Sequence, residues 1–288
     1  MKADDAWTVN DRFVFKTGTN IGSLKRHFTL SKAIKDAGLE AACPIPTCDG
    51  REYVLEDEHY FFLSPKLYGN RLISGECFTG DYKANARYLG ECIGQLHEIL
   101  KKCDDDMPLN EANLYDDVIK WALPGTKEQM QQHDCPLPET FYDDYISTYG
   151  ILSKNLPRQI IHRDIHPGNF IMADGKLTGF VDFELSERNV RLFDPCYCAT
   201  GILSESINEN NPEKLEKWPE IFKNILIGYD SVCKLTPEEY KAAIYVVYSI
   251  QMICIAYFGK LDKYTELAGI ERRMLKWIFK NREKYIKP

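Results

Sequence analysis

Three oxygen-bearing side chains, Asp164, Asn169 and Asp182, stand at spacings that could hold a divalent cation. They lie in Ile160-Ile161-His162-Arg163-Asp164-Ile165-His166-Pro167-Gly168-Asn169-Phe170-Ile171-Met172 and, after Ala173-Asp174-Gly175-Lys176, in Leu177-Thr178-Gly179-Phe180-Val181-Asp182-Phe183-Glu184. Asp-Gly between two apolar runs is a strong signal for a two-residue hairpin turn. With that turn at Asp174-Gly175, Ala173 faces Lys176, Met172 faces Leu177 and Asn169 faces Phe180. Strand alternation then puts Asn169 and Asp182 on one face, one diagonal step or roughly 7–8 Å apart at Cα. Asp164 sits on the loop leading into the same end. Hard oxygen ligands of this kind suit Mg²⁺, which keeps several waters and completes its shell with substrate phosphates.

The same stretch offers a second chemistry, because His162, Asp164 and His166 have the composition of a metal-dependent hydrolase site. Zinc would need further ligands, and His27, His59, His97 and His133 sit in segments with no paired spacing. The preferred reading is that His162 braces the loop through hydrogen bonds and that His166 with Pro167 shapes its turn.

The elements that must position these residues fall into two parts. Ala6–Asn10 and Arg12–Thr17 alternate apolar and polar positions around Asn10-Asp11, a hairpin signal. Ser23–Ala37 reads as a helix stopped by Gly38. Glu52–Leu55 and His59–Leu63 read as strands around an acidic turn, the second ended by Ser64-Pro65. After Gly80 the pattern turns helical, over Tyr82–Lys102, Glu139–Leu152, Pro212–Gly228, Pro237–Gly259 and Tyr264–Tyr285, interrupted by the β-rich Gln159–Phe183. A boundary near Tyr68–Gly80 divides an N-terminal lobe, 1–68, from a helical lobe, 69–288. The fold class is α+β.

The chain has 288 residues, 44% apolar and 27% charged, the usage of a globular protein of one or two domains. Lys plus Arg number 36 against 43 Asp plus Glu, a net charge of −7. That balance argues against nucleic acid as a partner and leaves small molecules, cationic ones included. No apolar h-region follows Met1-Lys2-Ala3-Asp4-Asp5. The longest apolar run, Ala242–Phe258, is interrupted by Ser249 and Gln251 and reads as a buried helix rather than a membrane span. Ten scattered cysteines without an export signal read as reduced thiols, so the expected compartment is cytoplasmic. Oligomeric state has no signal.

His162-Arg163-Asp164, Asn169 five residues after Asp164, and Asp182-Phe183 share the spacing of the kinase catalytic loop and metal-binding Asp motif. With His166-Pro167-Gly168 inside the loop and Asp182-Phe183-Glu184 in place of Asp-Phe-Gly, the chain resembles the aminoglycoside phosphotransferase and choline kinase group of small-molecule kinases. The resemblance implies a bilobal protein-kinase-like fold. It also implies transfer of the γ-phosphoryl of ATP (or GTP) to a hydroxyl-bearing small molecule. Asp164 would accept or orient the hydroxyl proton, and Asn169 and Asp182 would hold Mg²⁺ on the phosphates. By the same resemblance Lys16 contacts the α/β-phosphates, and the connector Ser64, Lys66 and Leu67 meets adenine. Asp194, in Phe193-Asp194-Pro195, reads from its residues as a helix N-cap and takes a structural role.

The chain also departs from that pattern. No Gly-x-Gly-x-x-Gly precedes Lys16, and Gly18–Gly22 lacks the ending of a P-loop. The dozen residues before Phe13 leave room for one strand, so the expected lobe lacks its first strands or has a reduced nucleotide cover. Where kinases carry a helix Glu to pair with the lysine, this chain has His27, or its neighbours Lys25 or Arg26. These departures motivate an alternative: a non-catalytic nucleotide-binding relative. Asp104-Asp105-Asp106, Asp116-Asp117 and Asp143-Asp144 read as solvated helix ends, or, by the resemblance, as attractors of a cationic acceptor. The basic residues Arg272, Arg273, Lys276, Lys280, Arg282 and Lys284 read as an exposed helical face.

Overall fold

Asn10 and Asp11 both take left-handed backbone angles, φ 50° and 53°, a region that Asn and Asp enter more readily than other side chains. The computed structural model describes residues 5–103, 109 and 111–286. In it, this turn joins β1 (Asp5–Val9) to β2 (Phe13–Gly18), closed by the Arg12 N–H donating to Val9 O at 3.1 Å. Asn20 then caps α1 (Ile21–Asp36), its Oδ1 accepting from Ser23 N at 3.0 Å. Gly18–Gly22 is thus a strand end and a helix start. Gly38, at φ 91°, follows the end of α1.

After β3 (Glu40–Ala41), β4 (Val54–Glu56) and β5 (His59–Pro65) complete an antiparallel sheet in the order β1-β2-β5-β4. Tyr60, Phe62 and Ser64 alternate along the buried face of β5. Tyr60 and Phe62 meet Leu24 and Phe28 of α1 in a small core of their own.

A second sheet carries the loop of interest. Its order is β3, β9, β8, β6, where β6 is Asn70–Arg71, β8 Phe170–Ala173 and β9 Lys176–Phe180. The Asp174-Gly175 turn is present, and Ala173 faces Lys176 and Met172 faces Leu177. Beyond that pair the expected register fails. Thr178 is an extra residue, so Ile171 faces Gly179 and Phe170, not Asn169, faces Phe180. The Thr178 hydroxyl, with one hydrogen to donate, lies 2.7 Å from Tyr68 O and 3.0 Å from Ile171 O. The β-bulge at this point shifts the partners beyond it by one residue.

The helical part is built on α2 (Tyr82–Lys101). Sequence periodicity missed α3 (Leu114–Asp117) and α4 (Leu123–Gln132), joined through a π turn at Val118–Ala122. The expected helix over 139–152 is likewise interrupted, as α5 (Glu139–Asp144), a π turn at Tyr145–Tyr149, and α6 (Gly150–Leu152). Such wide turns break a 3.6-residue stripe. Strands β7 (Arg158–Ile161) and β10 (Glu187–Val190) form a two-stranded sheet. Helices α7 (Phe193–Asn208), α8 (Pro212–Val232), α9 (Pro237–Phe258), α10 (Thr265–Asn281) and α11 (Glu283–Ile286) follow. Gly90 and Gly228 let α2 and α8 touch through their backbones; a Cβ on Gly228 would lie 1.8 Å from Arg87 O. By length and composition α9 could cross a bilayer, but 67% of its apolar window is buried inside this fold. All ten cysteines are free thiols. The Asp104–Asp106 cluster lies outside the described residues. Arg272 corrects the exposed-face reading of the basic helix: it is buried and donates to Gln129 Oε1 at 3.3 Å.

Next to Arg272, Glu271 is buried with Oε2 unpartnered. Burial pushes its carboxyl up to about 7 from an ordinary 4.5. The folded state therefore favours the protonated form, and that stabilisation is present below pH 4.5 and lost as pH rises to about 7. Glu271→Gln is expected to be more stable than wild type at pH 8 by about 3 kcal/mol and to lose that advantage at pH 4.5. Urea unfolding at the two pH values measures it. Equal differences at both would show that the Glu271 carboxyl is not buried in this way.

Candidate active site

Arg163 and Asp182 both sit in the left-handed region, at φ 73° and 69°, a costly conformation for such side chains that tends to concentrate at functional sites. Arg163 is held there from below. Asp194, fully buried, accepts from His162 N at 2.8 Å and Arg163 N at 2.9 Å. It also meets His97 Nε2 at 2.9 Å. Asp194 is not the helix cap, because α7 starts after Leu192; its side chain turns back to the loop backbone instead. His162 completes the brace. Its Nδ1 accepts from Asp164 N at 3.3 Å, which makes Nε2 the protonated nitrogen that donates to Val181 O at 2.9 Å. With both nitrogens used, His162 is not offered to a metal. Among the described residues no cluster of three or more His, Cys, Asp or Glu is placed to hold one.

The loop presents Asp164 with its carboxylate fixed on both sides. Oδ1 accepts from Tyr197 OH at 3.0 Å, and Oδ2 faces the Asn169 amide nitrogen at 3.3 Å. The Asn169 amide also donates to Asp164 O at 2.6 Å, which turns its own oxygen outward. That oxygen lies 3.2 Å from Arg71 Nη1, while Arg71 Nη2 lies 3.3 Å from Asp182 Oδ2. One guanidinium thus bridges the amide oxygen and the carboxylate oxygen named from the sequence. Asn169 and Asp182 do converge, although through a bulge and a left-handed residue rather than through the diagonal of a regular ladder. A pair of hard oxygens that accommodates one cation fits Mg²⁺, which takes few protein ligands.

Lys16 projects from β2 into the same place. Its Nζ is 2.5 Å from Asp182 Oδ1 and 2.7 Å from Glu184 Oε1. Burial alone would raise the Asp182 carboxyl, but Lys16 and Arg71 hold it at about 2. Burial alone would lower the Lys16 ammonium, but Glu184 and Asp182 raise it. Both are therefore charged at neutral pH.

A cleft of about 380 Å³ opens beside Lys16 and Asp182, within the size of small-molecule sites. Ser64, Lys66 and Leu67 line it, as do Trp7 and Thr8 of β1. Among the described residues one strand, β1, precedes β2, as the dozen residues before Phe13 allow, and the hairpin read there borders the cleft. The sequence reading missed Arg71, Tyr197 and Glu184. Arg71 carries no local signal. Tyr197 lies three residues after Asp194, close enough to have been tried as a partner of the loop. Glu184 was visible as the residue replacing the motif glycine.

The arrangement of sheet, cleft and braced loop is that of the protein-kinase-like fold. It overlays wild-type aminoglycoside 2'-phosphotransferase-IIIa in its GDP complex with a TM-score of 0.64 at 14% identity, covering 95% of this chain and 89% of that one. A microcompartment-associated aminopropanol kinase overlays with a TM-score of 0.60 at 13% identity, over 99% and 94% of the two chains. The family model described as the phosphotransferase enzyme family matches residues 14–214, and the chain belongs to that family. A curated relative, homoserine kinase of Sinorhizobium fredii (strain NBRC 101917 / NGR234), is 32% identical over 234 residues, 80% of this chain. The chain spans 65% of that relative's length.

Proposed function

We propose that this chain is a kinase that moves the γ-phosphoryl of ATP to the hydroxyl of a small amino acid or amino alcohol such as homoserine. The observation that carries the reading is the placement of Asp164 against Asn169, whose oxygen shares one cation with Asp182. Family membership supports the reaction class, and the homoserine kinase relative supports the acceptor. The nucleotide lies in the cleft between residues 1–68 and 69–288, its adenine near Ser64, Lys66 and Leu67 and its phosphates toward Lys16. Mg²⁺, held by Asn169 and Asp182, would supply charge neutralisation on the phosphates. Asp164 accepts or orients the acceptor hydroxyl proton as the oxygen attacks the γ-phosphorus and the bond from that phosphorus to the β-phosphate oxygen breaks, ADP leaving, while Tyr197 and Asn169 keep its carboxylate aimed. The protein does little covalent work in phosphoryl transfer; positioning and fixed charge lower the barrier.

Asp182→Asn is expected to abolish Mg²⁺-dependent nucleotide binding, since the site loses its carboxylate charge and leaves the ion with neutral amide oxygens alone. Fluorescent ATP analogue titration with and without Mg²⁺ measures it, next to a phosphate-transfer screen over homoserine, amino alcohols, sugars and aminoglycosides. Undiminished Mg²⁺-dependent binding by the variant would remove Asp182 from the site. A wild-type chain that binds the nucleotide but transfers phosphate to nothing, and does not hydrolyse ATP slowly, would favour the non-catalytic relative.

A further inference from the structure

In kinases the nucleotide lysine is held by a glutamate on the helix that follows it, and α1 has no glutamate facing Lys16. The residue it presents is His27, fully buried, packed 5.8 Å from the Phe62 ring and 6.3 Å from the Phe183 ring. Its Nδ1 lies 3.9 Å from Glu184 Oε2, and the other oxygen of Glu184 takes the Lys16 ammonium at 2.7 Å. Glu184 belongs to the short 3-10 turn Phe183–Leu185 that starts from Asp182. Its side chain is 13% exposed.

We propose that Glu184 is the positioning residue for Lys16, so that the lysine clamp has moved from the helix to the metal-motif turn. This rests on Lys16 and Asp182 meeting the nucleotide phosphates and the metal ion, as read above. An ammonium has three N–H donors. Asp182 Oδ1 and Glu184 Oε1 take two of them, which leaves one for a phosphate oxygen. Asp182 cannot anchor the lysine alone, because its oxygens are needed by the ion; Glu184 stays behind and keeps Nζ in place. His27 closes the space behind the carboxylate, so α1 supplies a wall rather than a partner. The clamp and the metal ligand then share one turn, and their alignment does not depend on a shift of α1.

The test is a double-mutant cycle on the full chain, reading fluorescent ATP affinity at saturating Mg²⁺ and, separately, the Mg²⁺ midpoint. Glu184→Ala is expected to weaken binding about tenfold, the scale of one charge-assisted hydrogen bond. Glu184→Gln, which preserves the packing, should fall between it and wild type. Lys16→Ala should weaken binding similarly, and Lys16→Ala/Glu184→Ala no further than Lys16→Ala alone, because one residue acts through the other. Additive losses, wild-type affinity in both Glu184 variants, or a Mg²⁺ midpoint moved by Glu184→Gln but not by Lys16→Ala would each overturn the proposal. The last would make Glu184 a metal ligand. A wild-type chain that binds no Mg²⁺–ATP would instead sink the kinase reading beneath it.

Discussion

Asp164→Asn is expected to lower turnover by about 10²–10⁴, the range for losing a positioned proton acceptor, while nucleotide affinity stays within about threefold. The asymmetry follows from what each oxygen touches. The Asp164 carboxylate is engaged by Tyr197 OH and the Asn169 amide, with His166 Nε2 4.0 Å from Oδ2, and not by the Lys16 and Arg71 cations that meet Asp182. An asparagine has the same shape, although its NH₂ must face either Tyr197 OH or the Asn169 amide; the loop itself stays braced from Asp194 and His162. What asparagine cannot do is accept a proton from the attacking hydroxyl, and that loss is about 3–5 kcal/mol on the barrier. Steady-state turnover with homoserine or the best acceptor from the screen, together with the KM for ATP, separates the two effects. Turnover within about threefold of wild type would take Asp164 out of the chemistry. A KM for ATP that rises with the fall in turnover would point to a damaged nucleotide site instead.

The sequence disclosed what is local and hid what is distant. Asp174-Gly175 marked a turn, and Asn10-Asp11 marked another, because turn preferences are written in two or three adjacent residues. The helices α1, α2, α8 and α9 showed through their apolar stripes and their Gly or Pro stops. The register beyond Thr178 did not, since a threonine hydroxyl bonding to Tyr68 O across 110 positions leaves no trace in the hairpin itself. Arg71 reaches Asp182 over 111 positions and Lys16 reaches Glu184 over 168, pairings that exist only once the two parts of the chain face each other. The cap reading of Asp194 fails for the same reason, although its structural role holds. Before a proline it looks like a cap, yet the partners it found are backbone donors 31 and 32 positions upstream. Its carboxylate is what lets a non-glycine residue, Arg163, keep φ 73°.

That carboxylate is therefore expected to carry a large share of the stability. Asp194→Ala should destabilise the chain by about 3–5 kcal/mol, more than an apolar truncation of its size. Asp194 is completely buried and accepts three hydrogen bonds, from His162 N, Arg163 N and His97 Nε2. Alanine would strand all three donors away from water. His97 would keep only Tyr229 OH, at 2.8 Å from Nδ1. Arg163, freed of its anchor, should relax from the left-handed region and carry Asp164 with it. Asp194→Asn should lose less, because an amide oxygen still accepts from the loop, although its NH₂ group must face one of the former donors. Urea midpoints of the two variants give the stability loss. Turnover of Asp194→Asn, measured at a temperature where it remains folded, gives the effect on Asp164. A midpoint unchanged in Asp194→Ala would mean that the loop keeps its shape without this brace, and the geometry assigned to Asp164 would need another origin.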